Sequence, residues 1–220
     1  MSCRSIIVYF ALPWIAAADE PSYPHVELSN GKMDVMVFLP DASAGYYRGV
    51  RFDGSGMVAQ VRVNGHTFFE PWNYSNDLSE SPQPHNTENT GDGSGTAEEF
   101  RNPLGYADAK PGDPFVKVGV GLLVRPDAQP YHFARKYELR RAAPWRITRG
   151  KGWIQFQQTL KTSLGYAYVY TKKITLEPGQ ASMVVTHSLR NTGRKQLATN
   201  PYCHNSVSYT HLTLPTIYSV

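Results

Sequence analysis

The chain has 220 residues, 41% of them hydrophobic and 18% charged, with a formal net charge of +4. That balance is too apolar for a disordered chain, and the length fits one domain or one large β domain. Its basic residues are scattered, with no arginine–lysine run and no RNP-type motif, which argues against a nucleic-acid partner.

The N-terminal stretch MSCRSIIVYFALPWIAAADEP sets Arg4 before an apolar run from Ile6 to Ala18, then acidic Asp19. This is the layout of a secretory signal peptide over 1–18, with cleavage expected after Ala18, and it predicts a secreted or periplasmic protein. The run is too short for a stable membrane span, so none is expected after cleavage. Cys3 leaves with the leader, and Cys203 then has no intrachain disulfide partner.

From Val26 onward the chain reads as strands and turns, as its 14 tyrosines, 18 glycines and 16 prolines suggest. GKMDVMVFLP (31–40) places Met33, Val35, Val37 and Leu39 on one side of a strand. MVAQVRVNGHTFFEPW (57–72) has Asn64-Gly65 between two alternating runs, a strong hairpin signal. The stretch 73–100 is long, polar and rich in Pro, Ser, Asn and Gly; loops of this length are usually functional or mobile. FVKVGVGLLVRP (115–126) reads as alternation passing into an apolar run, and PYHFARKYELRRA (130–142) as the next strand. PWRITRGKGWIQFQQTL (144–160) carries a turn at Gly150-Lys151-Gly152, after which Ile154 and Phe156 oppose Gln155 and Gln157. GYAYVYTKKITLEPG (165–179) and ASMVVTHSLRNTG (181–193) complete a series spaced for a sandwich or barrel. No glycine-rich phosphate loop, metal-spaced Cys/His cluster or nucleophile elbow occurs, and no cofactor is expected.

Several stretches carry a family resemblance: GYYRGVRFDGSGMVAQVRVNGH (45–66), GTAEEF (95–100), KPGDPFVKVGVGLL (110–123), GYAYVYTKKITL (165–176) and SLRNTGRKQLATNPYCHN (188–205). Together they resemble the aldose 1-epimerase-like proteins of the galactose mutarotase superfamily, in its secreted bacterial branch. The resemblance implies an all-β chain, part of a large antiparallel β-supersandwich, over 19–205. It also implies a sugar or glycan ligand and, for an active member, interconversion of sugar anomers by acid/base ring opening. The alternative is a non-catalytic carbohydrate-binding β-sandwich, since fold alone does not fix function.

After Asn205 the chain departs from that pattern. One reading frame of a transposase sequencing adapter encodes SYTHLTLPT, which matches the final stretch VSYTHLTLPTIYSV. Residues 206–220 are therefore expected to be a non-native tail. A sandwich lacking its later strands would expose sheet edges and an apolar face.

On the resemblance, His204 in TNPYCHN stands where the family places its sugar-facing histidine, although the order is Y-x-H-N where active epimerases show N-H-x-Y-F. Histidine suits the acid role because its pKa lies near working pH. Arg48 and Arg51 occupy the region of the family's sugar-binding arginine; a salt bridge to Glu98 or Glu99 is the structural alternative. Glu98 and Glu99, at the end of the polar stretch, are candidates to line the site, and His85 is a second candidate histidine. Tyr46, Tyr47, Trp72 and Trp145 are candidates for stacking on a sugar, or core aromatics. The family's general-base glutamate falls beyond Asn205, so the chain by itself is expected to be inactive.

Overall fold

A computed structural model describes residues 23–69 and 95–206. Among them the protein is all-β, with no helix and only antiparallel strand pairs. The leader 1–18, His85, Trp72 and residues 207–220 lie outside the described residues.

The first sheet has the order β1 (His25–Ser29), β2 (Asp34–Phe38), β3 (Val58–Val63) and β4 (His66–Thr67). The β3–β4 hairpin turns at Asn64-Gly65, where φ is 51° and 80°, as a two-residue turn with both central residues left-handed demands. Met33, Val35 and Val37 are buried on one side as the alternation predicts. Met36 and Phe38 are buried as well, so β2 is covered on both faces and its pattern is not a half-buried one.

β5 (Gly95–Phe100) pairs with β13 (Pro201–Ser206), the last described strand, as a two-stranded ribbon. Glu98 and Glu99 therefore lie within a strand, not at the end of a loop. The apolar run at 115–126 is a tight hairpin of β6 (Pro114–Lys117) and β7 (Gly121–Val124), where the sequence suggested one strand. Gly119 at φ +83 makes that reversal possible. β8 (Leu139–Ala142) completes this three-stranded sheet; the preceding 130–138 are irregular, correcting the expectation of a strand there.

The fourth sheet has the order β12 (Met183–Asn191), β11 (Ala167–Leu176), β10 (Trp153–Lys161) and β9 (Trp145–Gly150). Its β9–β10 hairpin turns at Lys151-Gly152, as expected. Two apolar clusters cover its inner face. Ile154, Phe156, Ile174 and Leu176 meet Val26, Leu28, Val35 and Val37 of the first sheet. Leu160, Tyr168 and Tyr170 meet Phe100, Leu104, Val116 and Val118. Burial of this apolar surface, at about 25 cal/mol per Å², is the main force holding the layers together.

Candidate functional site

The inner face of the β9–β12 sheet is not uniformly apolar. Along β11 the inward series is Tyr168, Tyr170, Lys172, Ile174, Leu176, and Lys172 is the register partner of Phe156 on β10 and His187 on β12. Gln158 holds the same parity as Ile154 and Phe156 and is fully buried. A polar row thus crosses the sheet between its two apolar clusters.

The ribbon supplies the counter-charge. Successive β-residues project to opposite faces, so Glu98 and Glu99 serve different neighbours. Glu98 faces the sheet: Lys172 Nζ stands 2.5 Å from its Oε2, and His187 Nε2 is 3.1 Å from its Oε1. Glu99 faces the other way, 3.0 Å from Lys117 Nζ and 3.3 Å from Arg51 Nε. The segment 51–55 closes the cluster. Asp53 accepts from Tyr170 Oη at 2.8 Å and from Ser55 at 2.5 and 2.7 Å, and lies 3.7 Å from Lys172 Nζ. Backbone bonding joins this segment to β5, where Asp53 N donates to Glu98 O at 2.7 Å.

Three cations (Arg51, Lys117, Lys172) and three carboxylates (Asp53, Glu98, Glu99) are buried together, and their formal charges cancel. Burying an ion costs several kcal/mol unless it is paired and hydrogen-bonded, so the pairing is what makes the cluster tolerable. Burial pushes Glu98 up, but the His187 hydrogen bond and the Lys172 ammonium outweigh it and hold the carboxyl at about 2. At Lys172 burial acts to lower the pKa, and the charges of Asp53 and Glu98 more than reverse it. At Lys117 burial wins and the ammonium is shifted down, despite Glu99. Tyr170 is pushed well up, by burial first and the Asp53 charge second, so it remains a phenol and a donor.

His187 is the opening of this cluster to solvent, its side chain 32% exposed. Its ring stacks on Tyr170 at an interplanar angle of 8°, and Nδ1 lies 3.0 Å from the Tyr170 hydroxyl. A neutral imidazole has one N–H and so donates to either Glu98 or Tyr170, whereas an imidazolium donates to both. The arrangement can accept a proton at the surface and hold it between a carboxylate and a phenol. Cys203, the register partner of Glu98 on β13, sits beside it with Sγ 3.5 Å from Glu98 Oε1. Burial, together with the Glu98 charge, raises its thiol pKa, which makes it a poor nucleophile. Among the described residues no cluster of three or more His, Cys, Asp or Glu side chains could hold a metal.

The residues singled out from sequence divide. Arg51, Glu98 and Glu99 meet in the cluster, with the Arg51–Glu99 ion pair that was the structural alternative. The Arg51 guanidinium also stacks between Phe52 and Phe133, 4.4 and 4.3 Å from their centroids. Arg48 does not join them; it is exposed and donates to Ser43 O at 3.1 Å. His204 lies on β13 as the register partner of Ala97, next to the Cys203–Glu98 pair. Tyr46 and Tyr47 are core residues, and Trp145 packs edge-on against Phe156 and Tyr170, so none of the three is a free stacking platform. Sequence reasoning missed Asp53, Lys117, Lys172, Tyr170 and His187. The available signal was parity, for Lys172 and His187 each interrupt an otherwise apolar inward series.

No protein-family profile, curated protein or solved structure matches the chain.

Proposed function

We propose that the protein is a carbohydrate-active β-sandwich of the aldose 1-epimerase-like kind, acting on or binding a free sugar without a cofactor. The observation that carries this is the Glu98–His187 pair: a solvent-reaching imidazole backed by a buried, ionised carboxylate. Ring opening needs a proton delivered to the ring oxygen and another taken from the anomeric hydroxyl, and an oriented imidazole suits such transfers. His204 keeps the sugar-facing acid role that the resemblance implies. His187 on β12, with Glu98 on β5, is a second proton-handling group.

A non-catalytic sugar binder is the second reading, favoured by Glu98 itself. A carboxylate held at about 2 is a weak base, and pairing to Lys172 makes it chiefly structural. Polarimetry of the purified protein with freshly dissolved α-galactose and α-glucose separates the two. Accelerated mutarotation that falls on His204→Asn substitution supports the epimerase. Saturable sugar binding by calorimetry, without acceleration, supports the binder. Neither binding nor acceleration across a panel of neutral aldoses overturns both.

A further inference from the structure

A second concentration of charge lies away from the buried cluster and, among the described residues, has no counter-ion. Leu122, Arg140, Arg141, Lys161, Thr162 and Ser163 line a hollow of about 450 Å³ formed by β7, β8 and the end of β10. No Asp or Glu lines it, and among the described residues none of its three cations is ion-paired.

The backbone is shaped to bring these cations together. Gly121 pairs with Ala142, Leu122 with Arg141 and Leu123 with Leu139, which leaves Arg140 as the extra residue of a β-bulge. In a regular strand Arg140 and Arg141 would project to opposite faces; a bulge re-aims a side chain, and here both line the hollow. Gly121, at φ +147, permits the close pairing, for a Cβ there would fall 2.3 Å from Arg141 O. Arg141 Nη2 donates to Lys161 O at 2.9 Å, which fixes the end of β10 against β8. The Thr162 hydroxyl is committed to Tyr166 O at 2.8 Å, leaving the exposed Ser163 hydroxyl as a further donor.

We propose that this hollow is a binding site for the oxyanion of an acidic saccharide, a uronate carboxylate or a sulfate ester. Guanidinium forks match planar or tetrahedral oxyanions with two parallel hydrogen bonds, which a lysine alone cannot do. Leu122 offers an apolar floor for the C–H face of a sugar ring, and the volume falls within the roughly 300–1,000 Å³ of small-molecule sites. The oxyanion part stands on the hollow alone, while the saccharide part rests on the carbohydrate reading above.

The test is a calorimetric and NMR titration of the full chain at low salt with galacturonate, galactose 6-sulfate, inorganic sulfate and neutral galactose. Galacturonate or galactose 6-sulfate should bind more tightly than inorganic sulfate. Binding should weaken with added salt and fall about tenfold in Arg140→Gln, the loss of one good charged contact. Arg141→Lys, which keeps a cation and a donor beside Lys161 O, should weaken binding similarly without changing the circular dichroism spectrum. Binding of inorganic sulfate alone would overturn the saccharide assignment. Binding of none of the three anions would overturn the site. Neutral galactose that binds equally in wild type and Arg140→Gln, with none of the anions binding, would leave the carbohydrate reading standing while this proposal falls.

Discussion

Lys172 and His187 are register partners on adjacent strands, and each lies within ion-pairing distance of a different oxygen of the Glu98 carboxylate. The buried ammonium fixes that carboxylate in place and the imidazole carries its influence to the surface. Structural and chemical roles are thereby divided between two neighbours at one position of the sheet.

Lys172→Met should be strongly destabilising. It leaves Asp53 and Glu98 buried without the cation they share, and breaking a buried ion pair from one side costs about 3–5 kcal/mol. The urea midpoint should fall accordingly. The double variant Lys172→Met/Glu98→Gln should recover part of the loss, because the two sites are in contact and their effects are not additive.

Stability should depend on acid pH through Glu98. Its carboxyl is held at about 2 against an ordinary 4.5, so the folded state binds its proton less readily than the unfolded chain. The contribution is therefore complete above pH 4.5 and is lost as pH falls toward 2, with an upper size of roughly 3 kcal/mol. Urea titrations between pH 6 and pH 2.5 check this. Glu98→Gln should remove that part of the slope.

His187→Gln should separate folding from chemistry. The side chain is 32% exposed, and loss of a solvent-screened pair is worth about 1 kcal/mol or less, so the urea midpoint should barely move. If the imidazole handles a proton in ring opening, mutarotation by the protein should fall by about 10²-fold or more. An unchanged rate would leave the Glu98–His187 pair a purely structural contact.

Two glycines with similar backbone angles should respond differently. Gly119 at φ +83 would place a Cβ 2.5 Å from Asp53 Cβ, while Gly112 at φ +89 has nothing within 4 Å. Gly112→Ala should cost about 1–2 kcal/mol of left-handed strain. Gly119→Ala adds an overpacking penalty of about 1–3 kcal/mol and displaces Asp53 from Tyr170 and Lys172. Thermal melts of the two variants give the comparison.

The strands were largely legible because period-two burial is a local property. Ile154 and Phe156 against Gln155 and Gln157, and the Asn64-Gly65 turn, follow from side-chain alternation and from backbone angles that few residues accept. The 115–126 run misled because both arms of the β6–β7 hairpin are apolar and only Gly119 marks the reversal. The charged cluster was half visible. Arg51 stood out through the family resemblance and Glu98 and Glu99 as adjacent carboxylates closing the polar stretch, whereas Lys117 and Lys172 look like ordinary strand lysines until their parity is compared with their neighbours. Asp53 was beyond reach, since its partners Tyr170 and Lys172 lie more than a hundred residues along the chain.

The adjacent carboxylates of β5 also act as a two-sided key. Sliding the ribbon by one residue in one direction would set Phe100 against Lys117 and Arg51; sliding it the other way would set Ala97 against Lys172. Either mispairing leaves a buried cation short of a carboxylate, with Lys172 reduced to Asp53 alone or Lys117 and Arg51 left facing an aromatic ring, a penalty that an apolar strand would not suffer from the same slip. The ionic pairs thus make one alignment of this ribbon overwhelmingly preferable to its neighbours, and they guard assembly against error even where greasy contacts alone would tolerate it.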